Sequence, residues 1–486
     1  MKACARRLGW LGAALVLMAG YQALAHRPFV GRFFALDDFW ILTDADRAHG
    51  LLGLFLPSNG WLQYRPLTTV GYFAAQRALF GLEPGGWQVV HLAGQATNGV
   101  LVWAVARRLL RSETGALACA LVYAAAPGHT LAARWLALET VTGVVTVVLA
   151  ALWLWLHLPP RARAPVLAPV TLVALLAGEL SVTLAPALTL LFLLLEPAET
   201  RRRSRPALAA VWALLLAAAG AKLVWGRVVF PRVDPQGADV FWRHYALNLD
   251  PWVALDSLGR YVRAASPPLA ALPEGEATAR LFGATAVALA LALIATVLLR
   301  PAAGRALRVT AFGLGVLVTG VGPVLLMPQH FTSGYVGLAA FGMALAVTAP
   351  LTALPGRAGL VAPLVASLLV ATVQLRLVLP RTLYAPELRL IDDTARGTAG
   401  WLRAIDAASA GRPELREVVM PENWATHLAF GRGEAHRIFL CASFGVRLVP
   451  DPRAEPPEPW RAVLLAPVIR GRAPTPIRPC PAAQPG

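Results

Sequence analysis

Four aspartates fall within ten positions of the stretch FFALDDFWILTDADRAHG, residues 33–50, in a chain that otherwise avoids charge. Asp37 and Asp38 are adjacent and are flanked by aromatic residues. Two neighbouring carboxylates raise each other's pKa, and partial removal from water raises it further. Such a pair can act as a general base toward a hydroxyl or an amide, hold a divalent cation or cap a helix. The residue types alone leave these three interpretations open.

A second set of polar side chains lies in the apolar run GWQVVHLAGQATNGVLVWAVARRLL. Gln88, His91, Gln95 and Asn98 share one face of a helix at the 3.6-residue period. Polar groups at membrane depth cost free energy unless they have partners. We therefore expect this face to point into a helix bundle or a water-filled cavity, either as a packing seam of hydrogen bonds or as part of a site.

The composition predicts that these residues are held by an all-α polytopic membrane protein. Only 15% of the residues are charged and 57% are hydrophobic, whereas a soluble domain carries roughly 25% charged residues. Runs such as VTGVVTVVLAALWLWLHL have about the 20-residue length of a bilayer crossing. The net charge of +17 comes from arginines clustered between apolar runs. That distribution follows the positive-inside rule and argues against a nucleic-acid partner.

The apolar runs predict about eleven membrane helices. Arg6 and Arg7 place the N-terminus in the cytoplasm, and the first helix has the character of a retained anchor rather than a cleaved signal peptide. The long segments 26–87 and 226–277, together with the C-terminus, then lie outside. The predicted helix centres are near residues 16, 98, 120, 147, 172, 187, 215, 288, 317, 341 and 368.

Composition changes near residue 380, which divides the chain into a membrane domain (1–379) and a C-terminal extracytoplasmic domain (380–486). LREVVM and HRIFLCASFGVRLV are typical of strands, so we predict a small α/β domain with an irregular Pro-rich tail. Cys441 and Cys480 both lie in this tail. They form a disulfide in an oxidising compartment or remain free thiols.

Residues 64–110 resemble the corresponding stretch of the GT-C superfamily of membrane glycosyltransferases. The resemblance is strongest to the protein O-mannosyltransferases with transmembrane and tetratricopeptide-repeat regions and to their bacterial relatives. In that family an acidic pair follows the first span, and Asp37 and Asp38 stand there in this chain. The chain lacks the tetratricopeptide repeats, and Leu131 and Gly178 replace an acidic residue and a lysine that are common in the family. The other matching segments are Tyr64 to Leu67, Phe80 to Leu82, PGHT at 127–130 and GELSV with Glu179.

The resemblance implies an inverting transfer of sugar from a polyprenyl-phosphate donor to a protein, lipid or polysaccharide acceptor at the outer face. Asp37 or Asp38 would be the general base. Members of the family differ in their use of a divalent cation, so that cofactor stays open. A composition rich in Ala, Leu, Arg and Pro favours a bacterial inner (plasma) membrane. The resemblance and the polar positions give these candidate substrate-binding residues: Tyr64, Arg65, Gln88, His91, His129, Arg134, Glu179 and His330.

Two other functions are compatible with the sequence. A lipid or solute transporter or flippase also has many spans and a polar cavity, although such proteins often show internal repeats. A catalytically inactive GT-C-like protein that helps to assemble an envelope polymer is the second alternative. The sequence has no phosphate-binding loop, dinucleotide fingerprint or paired-cysteine metal motif of a soluble enzyme.

Overall fold

The computed structural model describes most of the chain. The described ranges are 2–48, 65–224, 246–273, 275–300, 303–328, 331–382, 386–423, 435–440, 444–455 and 458–465, together with a few isolated positions. Tyr64, His330, Cys441 and Cys480 lie outside the described residues.

Helices dominate the described part of the chain because its apolar runs can satisfy their backbone groups in a bilayer only within a helix. Those of six residues or more are α1 (Lys2–His26), α2 (Asp38–Arg47), α3 (Tyr72–Phe80), α4 (Pro84–Leu110), α5 (Glu113–Ala124), α6 (Gly128–Arg134), α7 (Glu139–His157), α8 (Pro160–Ala177), α9 (Leu184–Leu195), α10 (Ala198–Val224), α11 (Pro251–Ala265), α12 (Glu276–Leu299), α13 (Arg305–Thr319), α14 (Gly337–Thr352), α15 (Ala358–Val373), α16 (Pro386–Ser409) and α17 (Ala435–Leu440).

Within the described ranges, eight helices are long and apolar enough to cross a membrane. A ninth span is formed if α5 and α6, which meet at an angle of 64°, are taken together. Each of the eleven predicted centres lies inside one of the helices. Helices α9 and α13 have only 12 and 15 residues, fewer than the roughly 20 that a full crossing needs. The prediction of an all-α polytopic membrane protein is confirmed.

Small residues allow two pairs of helices to pack closely. A Cβ atom on Gly342 of α14 would lie 2.4 Å from the Leu317 nitrogen of α13. A Cβ atom on Gly259 of α11 would lie 1.7 Å from the Ala279 carbonyl oxygen of α12. Helix α11 therefore runs against α12, although the sequence predicted an outer loop over 226–277. Backbone approach of this kind is the usual basis of helix association in membranes.

The C-terminal unit contains a three-stranded parallel sheet. Its strands are β1 (Glu417–Pro421), β2 (Gly445–Val449) and β3 (Arg461–Val463), in the order β2-β1-β3. Glu417 is opposite Gly445 on one side and Arg461 on the other. The predicted strand in LREVVM is confirmed. The prediction for HRIFLCASFGVRLV is wrong in its first half, which is helix α17, and right in its second half, which is β2.

Helix α16 joins the C-terminal unit to the membrane bundle. Leu388 and Ile391 are buried in the main apolar core of the bundle. About three turns further along, Trp401 and Ile405 belong to a second core that includes Phe34 and other aromatic residues of the segment after α1. The burial of α16 at both ends places its polar side chains next to the Asp37–Asp38 turn.

Candidate active site

The Asp37–Asp38 pair lies at the start of α2, directly after a tight turn of the chain. Leu36 has φ +51°, a left-handed conformation that is unusual for a side chain with a Cβ atom. Asp38 is fully buried and pins the turn, since its Oδ2 accepts a hydrogen bond from the Ala35 N–H at 2.9 Å. Its Oδ1 accepts one from the Ala137 N–H at 2.8 Å, beyond the end of α6. Both oxygens of Asp38 are therefore engaged by backbone.

Burial raises the pKa of Asp38 to about 7 from its ordinary value of 3.8. The two backbone hydrogen bonds and the nearby charge of Arg134 act in the opposite direction, while the Asp37 charge adds to the increase. Removal from water outweighs these contacts because it penalises the charged form directly. The Asp38 carboxyl is fully enclosed.

Asp37 has a different environment from its neighbour. It is half-buried, and its carbonyl oxygen accepts the Ile41 N–H at 3.1 Å as α2 begins. Its carboxylate lies within electrostatic range of the buried Tyr335, which precedes α14. The guanidinium of Arg65 donates a hydrogen bond to the Tyr335 side chain, and Glu179 is within electrostatic range of the same group. We refer to Asp37, Arg65, Glu179 and Tyr335 as the outer cluster.

Arg65 and Glu179 form an ion pair within the outer cluster. Arg65 precedes a π-helical turn, Pro66–Gly71, and its carbonyl oxygen accepts the Thr69 N–H at 3.0 Å. Glu179 follows Gly178, where α8 ends. The Thr68 hydroxyl donates to the carbonyl oxygen of Ala177, which fastens the two segments together. The guanidinium and the carboxylate are 15% and 31% exposed, so the pair is accessible from one side.

The polar face of α4 is buried, which confirms that it points into the bundle. Asn98 donates to the Thr142 carbonyl oxygen at 3.0 Å, and Gln88 donates to the Arg32 carbonyl oxygen at 2.9 Å. His91 is ion-paired with Glu139 at the start of α7. These contacts hold α4 against α7 and the segment after α1.

His129 and Arg134 both belong to the bent helix α6. His129 is buried with its ring centroid 4.7 Å from that of Tyr123. Arg134 is also buried, and its Nε donates to Asp392 of α16 at 2.7 Å while its terminal nitrogens donate to the Phe33 carbonyl oxygen at 3.3 and 3.4 Å. We therefore describe Arg134 as a positioning residue for the Asp37–Asp38 turn.

Two residues at the candidate site were not predicted from the sequence. Tyr335 lies in the segment MPQHFTSGYVGLA, in which the sequence predicted His330 as a site residue instead. Asp392 is one of two adjacent aspartates in the charged tail, and it pairs with both Arg134 and Arg32. Burial raises the pKa of Asp392, but these two guanidinium partners outweigh it and hold that pKa below its usual value. No sequence signal links a tail residue to a segment more than 250 positions earlier.

A divalent cation bound at the outer cluster would need several oxygen ligands. Among the described residues, no group of three or more His, Cys, Asp or Glu side chains could hold a metal ion. Glu179 is paired with Arg65, and both oxygens of Asp38 accept backbone hydrogen bonds. The described residues therefore do not fit a divalent cation here.

Several solved structures are similar to this chain over most of its length. ArnT from Cupriavidus metallidurans bound to undecaprenyl phosphate has a TM-score of 0.47 and 14% identity, with coverage of 87% of this chain and 84% of that chain. The arabinofuranosyltransferase AftD from Mycobacteria has a TM-score of 0.42 and 16% identity, with coverage of 85% and 29%. ArnT in the apo state has a TM-score of 0.35 and 13% identity, with coverage of 88% and 85%.

By its name, AftD transfers arabinofuranosyl groups. This chain spans 29% of that protein's length. No family model matches the sequence, and no curated protein matches it either. The narrower resemblance to the O-mannosyltransferases stays a prediction.

Proposed function

We propose that the chain is a membrane glycosyltransferase that moves a sugar from a polyprenyl-phosphate donor to an acceptor at the extracytoplasmic face. The outer cluster carries this proposal. It combines a half-buried carboxylate, an accessible arginine and a buried tyrosine at one end of a bundle of apolar helices. A donor with a hydrocarbon chain, a phosphate and a sugar needs this combination, since its chain stays in the bilayer while its phosphate reaches the interface.

The arginine clusters support the orientation. Helix α1 begins near arginines, and Asp37 follows its C-terminal end in the sequence. Helix α8 also begins near arginines, and Glu179 follows its C-terminal end. Helix α14 begins after Tyr335 and is followed by Arg357. Along the chain, each of these helices therefore has an arginine near one end, and a residue of the outer cluster lies beyond the other end. The positive-inside rule assigns the arginine ends to the cytoplasm and the outer cluster to the opposite face.

The proposed reaction uses Asp37 as the base and Arg65 as the phosphate ligand. An acceptor oxygen or nitrogen attacks the anomeric carbon while Asp37 takes its proton. The bond between that carbon and the phosphate oxygen breaks, and the electron pair stays on the leaving phosphate. Arg65 stabilises the charge that develops there, because a guanidinium matches phosphate geometry. Attack opposite the leaving group inverts the anomeric centre.

The two adjacent carboxylates then have separate tasks. Asp38 is enclosed and holds the turn through its two backbone hydrogen bonds. Asp37 is the more accessible of the two and belongs to the outer cluster. This division supports Asp37, rather than Asp38, as the general base.

The test is sugar transfer by the purified full-length protein in liposomes, with a panel of polyprenyl-phosphate sugars. We expect Asp37→Asn to lower turnover by about 10²- to 10⁴-fold, the usual contribution of a general base. Asp46→Asn is the matched control, because Asp46 lies on the same helix and is exposed beside Arg77. Full turnover in a folded Asp37→Asn protein would contradict the assignment of the base.

A negative result has its own interpretation. If no donor is consumed by wild type, but donor lipid binds and its binding weakens on Arg65→Gln, the inactive GT-C-like alternative gains support. If wild type moves labelled lipid between leaflets without transfer, the flippase alternative replaces the proposal.

A further inference from the structure

Three arginines come together at the end of the bundle opposite the outer cluster. Arg108 and Arg111 lie at the C-terminal end of α4, and Arg305 begins α13. The Arg305 Nε donates to the Leu109 carbonyl oxygen at 2.7 Å, and its Nη2 donates to the Arg108 carbonyl oxygen at 2.9 Å. Arg305 lies within electrostatic range of both Arg108 and Arg111. We refer to these three residues as the inner arginine cluster.

The charges of this cluster are not matched by carboxylates. Within the described ranges, none of the three arginines has an ion pair with an acidic side chain. The nearby Glu113 lies 3.7 Å from Arg107 instead. Like charges that converge at a membrane surface repel one another unless an anion lies among them. Arg111 also precedes Ser112, the N-cap of α5, and the N-terminus of a helix adds positive potential.

The two hydrogen bonds from Arg305 to carbonyl oxygens of α4 do not use all the N–H donors of the inner arginine cluster. A guanidinium has five N–H donors, and Arg305 uses Nε and one terminal nitrogen on the α4 carbonyls. Other donors of Arg305 stay available, and Arg108 and Arg111 are exposed. Guanidinium groups that lie within electrostatic range of one another attract a phosphate group, whose oxygens accept hydrogen bonds from their N–H donors.

We propose that the inner arginine cluster binds the phosphate of an anionic phospholipid in the cytoplasmic leaflet. The cluster ends the apolar helix α4, at the depth where lipid phosphates lie, and the cytoplasmic leaflet is rich in anionic lipids. This site is remote from the outer cluster and does not depend on the proposed glycosyl transfer. A free phosphate shares the same chemistry, so the experiment separates the two sources.

The test measures phosphatidylglycerol and phosphatidylcholine binding to the purified full-length protein by native mass spectrometry. We expect wild type to prefer phosphatidylglycerol to phosphatidylcholine. We expect R108Q/R111Q to bind phosphatidylglycerol at least about tenfold more weakly than wild type does. This variant keeps Arg305 and its hydrogen bonds to the carbonyl oxygens at the end of α4. The matched control is R202Q/R205Q, which removes two exposed arginines from another basic segment, at the start of α10.

The outcomes distinguish a lipid phosphate bound at this site from diffuse attraction and from a soluble anion. Loss of phosphatidylglycerol in R108Q/R111Q alone supports the site, whereas equal loss in both variants shows diffuse attraction and overturns it. Displacement of the lipid from wild type by inorganic phosphate, but not by chloride, would assign the cluster to a soluble anion and overturn the lipid proposal. Gel filtration and thermal unfolding verify that each variant is folded, and R111Q alone replaces the double variant if that one is not.

Discussion

At the scale of single residues, two adjacent carboxylates have opposite environments. Asp38 is enclosed between the Ala35 and Ala137 N–H groups, while Asp37 belongs to the outer cluster. Consecutive residues at a helix start point in different directions, because each residue turns the chain by about 100°. The sequence identifies the pair as chemically unusual. It does not reveal which carboxylate is enclosed, since that depends on a backbone N–H group 99 positions away.

The raised pKa of Asp38 predicts a pH-dependent stability. The carboxyl ionises at about 7 in the folded protein, whereas its ordinary value of 3.8 applies to the unfolded chain. Between these values the unfolded state loses its proton first, so the free energy of unfolding falls as the pH rises from about 4 to about 7 and then levels off. We expect Asp38→Asn to flatten this slope in thermal unfolding measurements. Asp46→Asn should keep the wild-type slope, and an unchanged slope in Asp38→Asn would contradict the prediction.

At the scale of the elements, the sequence predicted the helices well because apolar length and period fix them locally. All eleven predicted centres lie in helices. The outer loops were less predictable. Helix α11 carries the charged Asp256 and Arg260, which form a pair at 2.8 Å, so it resembles a loop helix in composition. Its place against α12 depends on two glycines, Gly259 and Gly283, whose role appears only when the helices are brought together.

The close contact between α11 and α12 predicts a strong effect of a single methyl group. A Cβ atom at Gly259 would lie 1.7 Å from the Ala279 carbonyl oxygen, and backbone cannot move aside at low cost. We expect Gly259→Ala to destabilise the protein by about 1–3 kcal/mol or more, as measured by chemical or thermal unfolding in detergent. Gly220→Ala is the control, because nothing lies within 4 Å of its Cβ position in α10. That helical change should be neutral or stabilising, and a similar loss in both variants would refute the packing argument.

At the scale of the whole molecule, the candidate site is assembled from segments far apart in sequence. Motifs predicted Asp37, Arg65 and Glu179 as functional residues, and the structure places them together. Tyr335 and Asp392 were not predicted, because their contribution depends on long-range packing. Helix α16 brings Asp392 to Arg134 and brings Glu387 to the Ser333 hydroxyl, which donates to it at 2.9 Å. The C-terminal unit is thus part of the framework around the outer cluster.

The Arg134–Asp392 pair should couple the C-terminal unit to the membrane bundle. Asp392→Asn leaves the buried Arg134 guanidinium with the Phe33 carbonyl oxygen as its main partner, which we expect to cost about 2 kcal/mol or more because a buried charge loses its counterion. Arg134→Gln should also destabilise, and the double variant should lose less than the sum of the two. The measurement is a double-mutant cycle on thermal unfolding, with protease release of the C-terminal unit as a second signal. Asp393→Asn is the control, since Asp393 is exposed and pairs locally with Arg396. Additive losses in the cycle would mean that this ion pair does not hold the two units together.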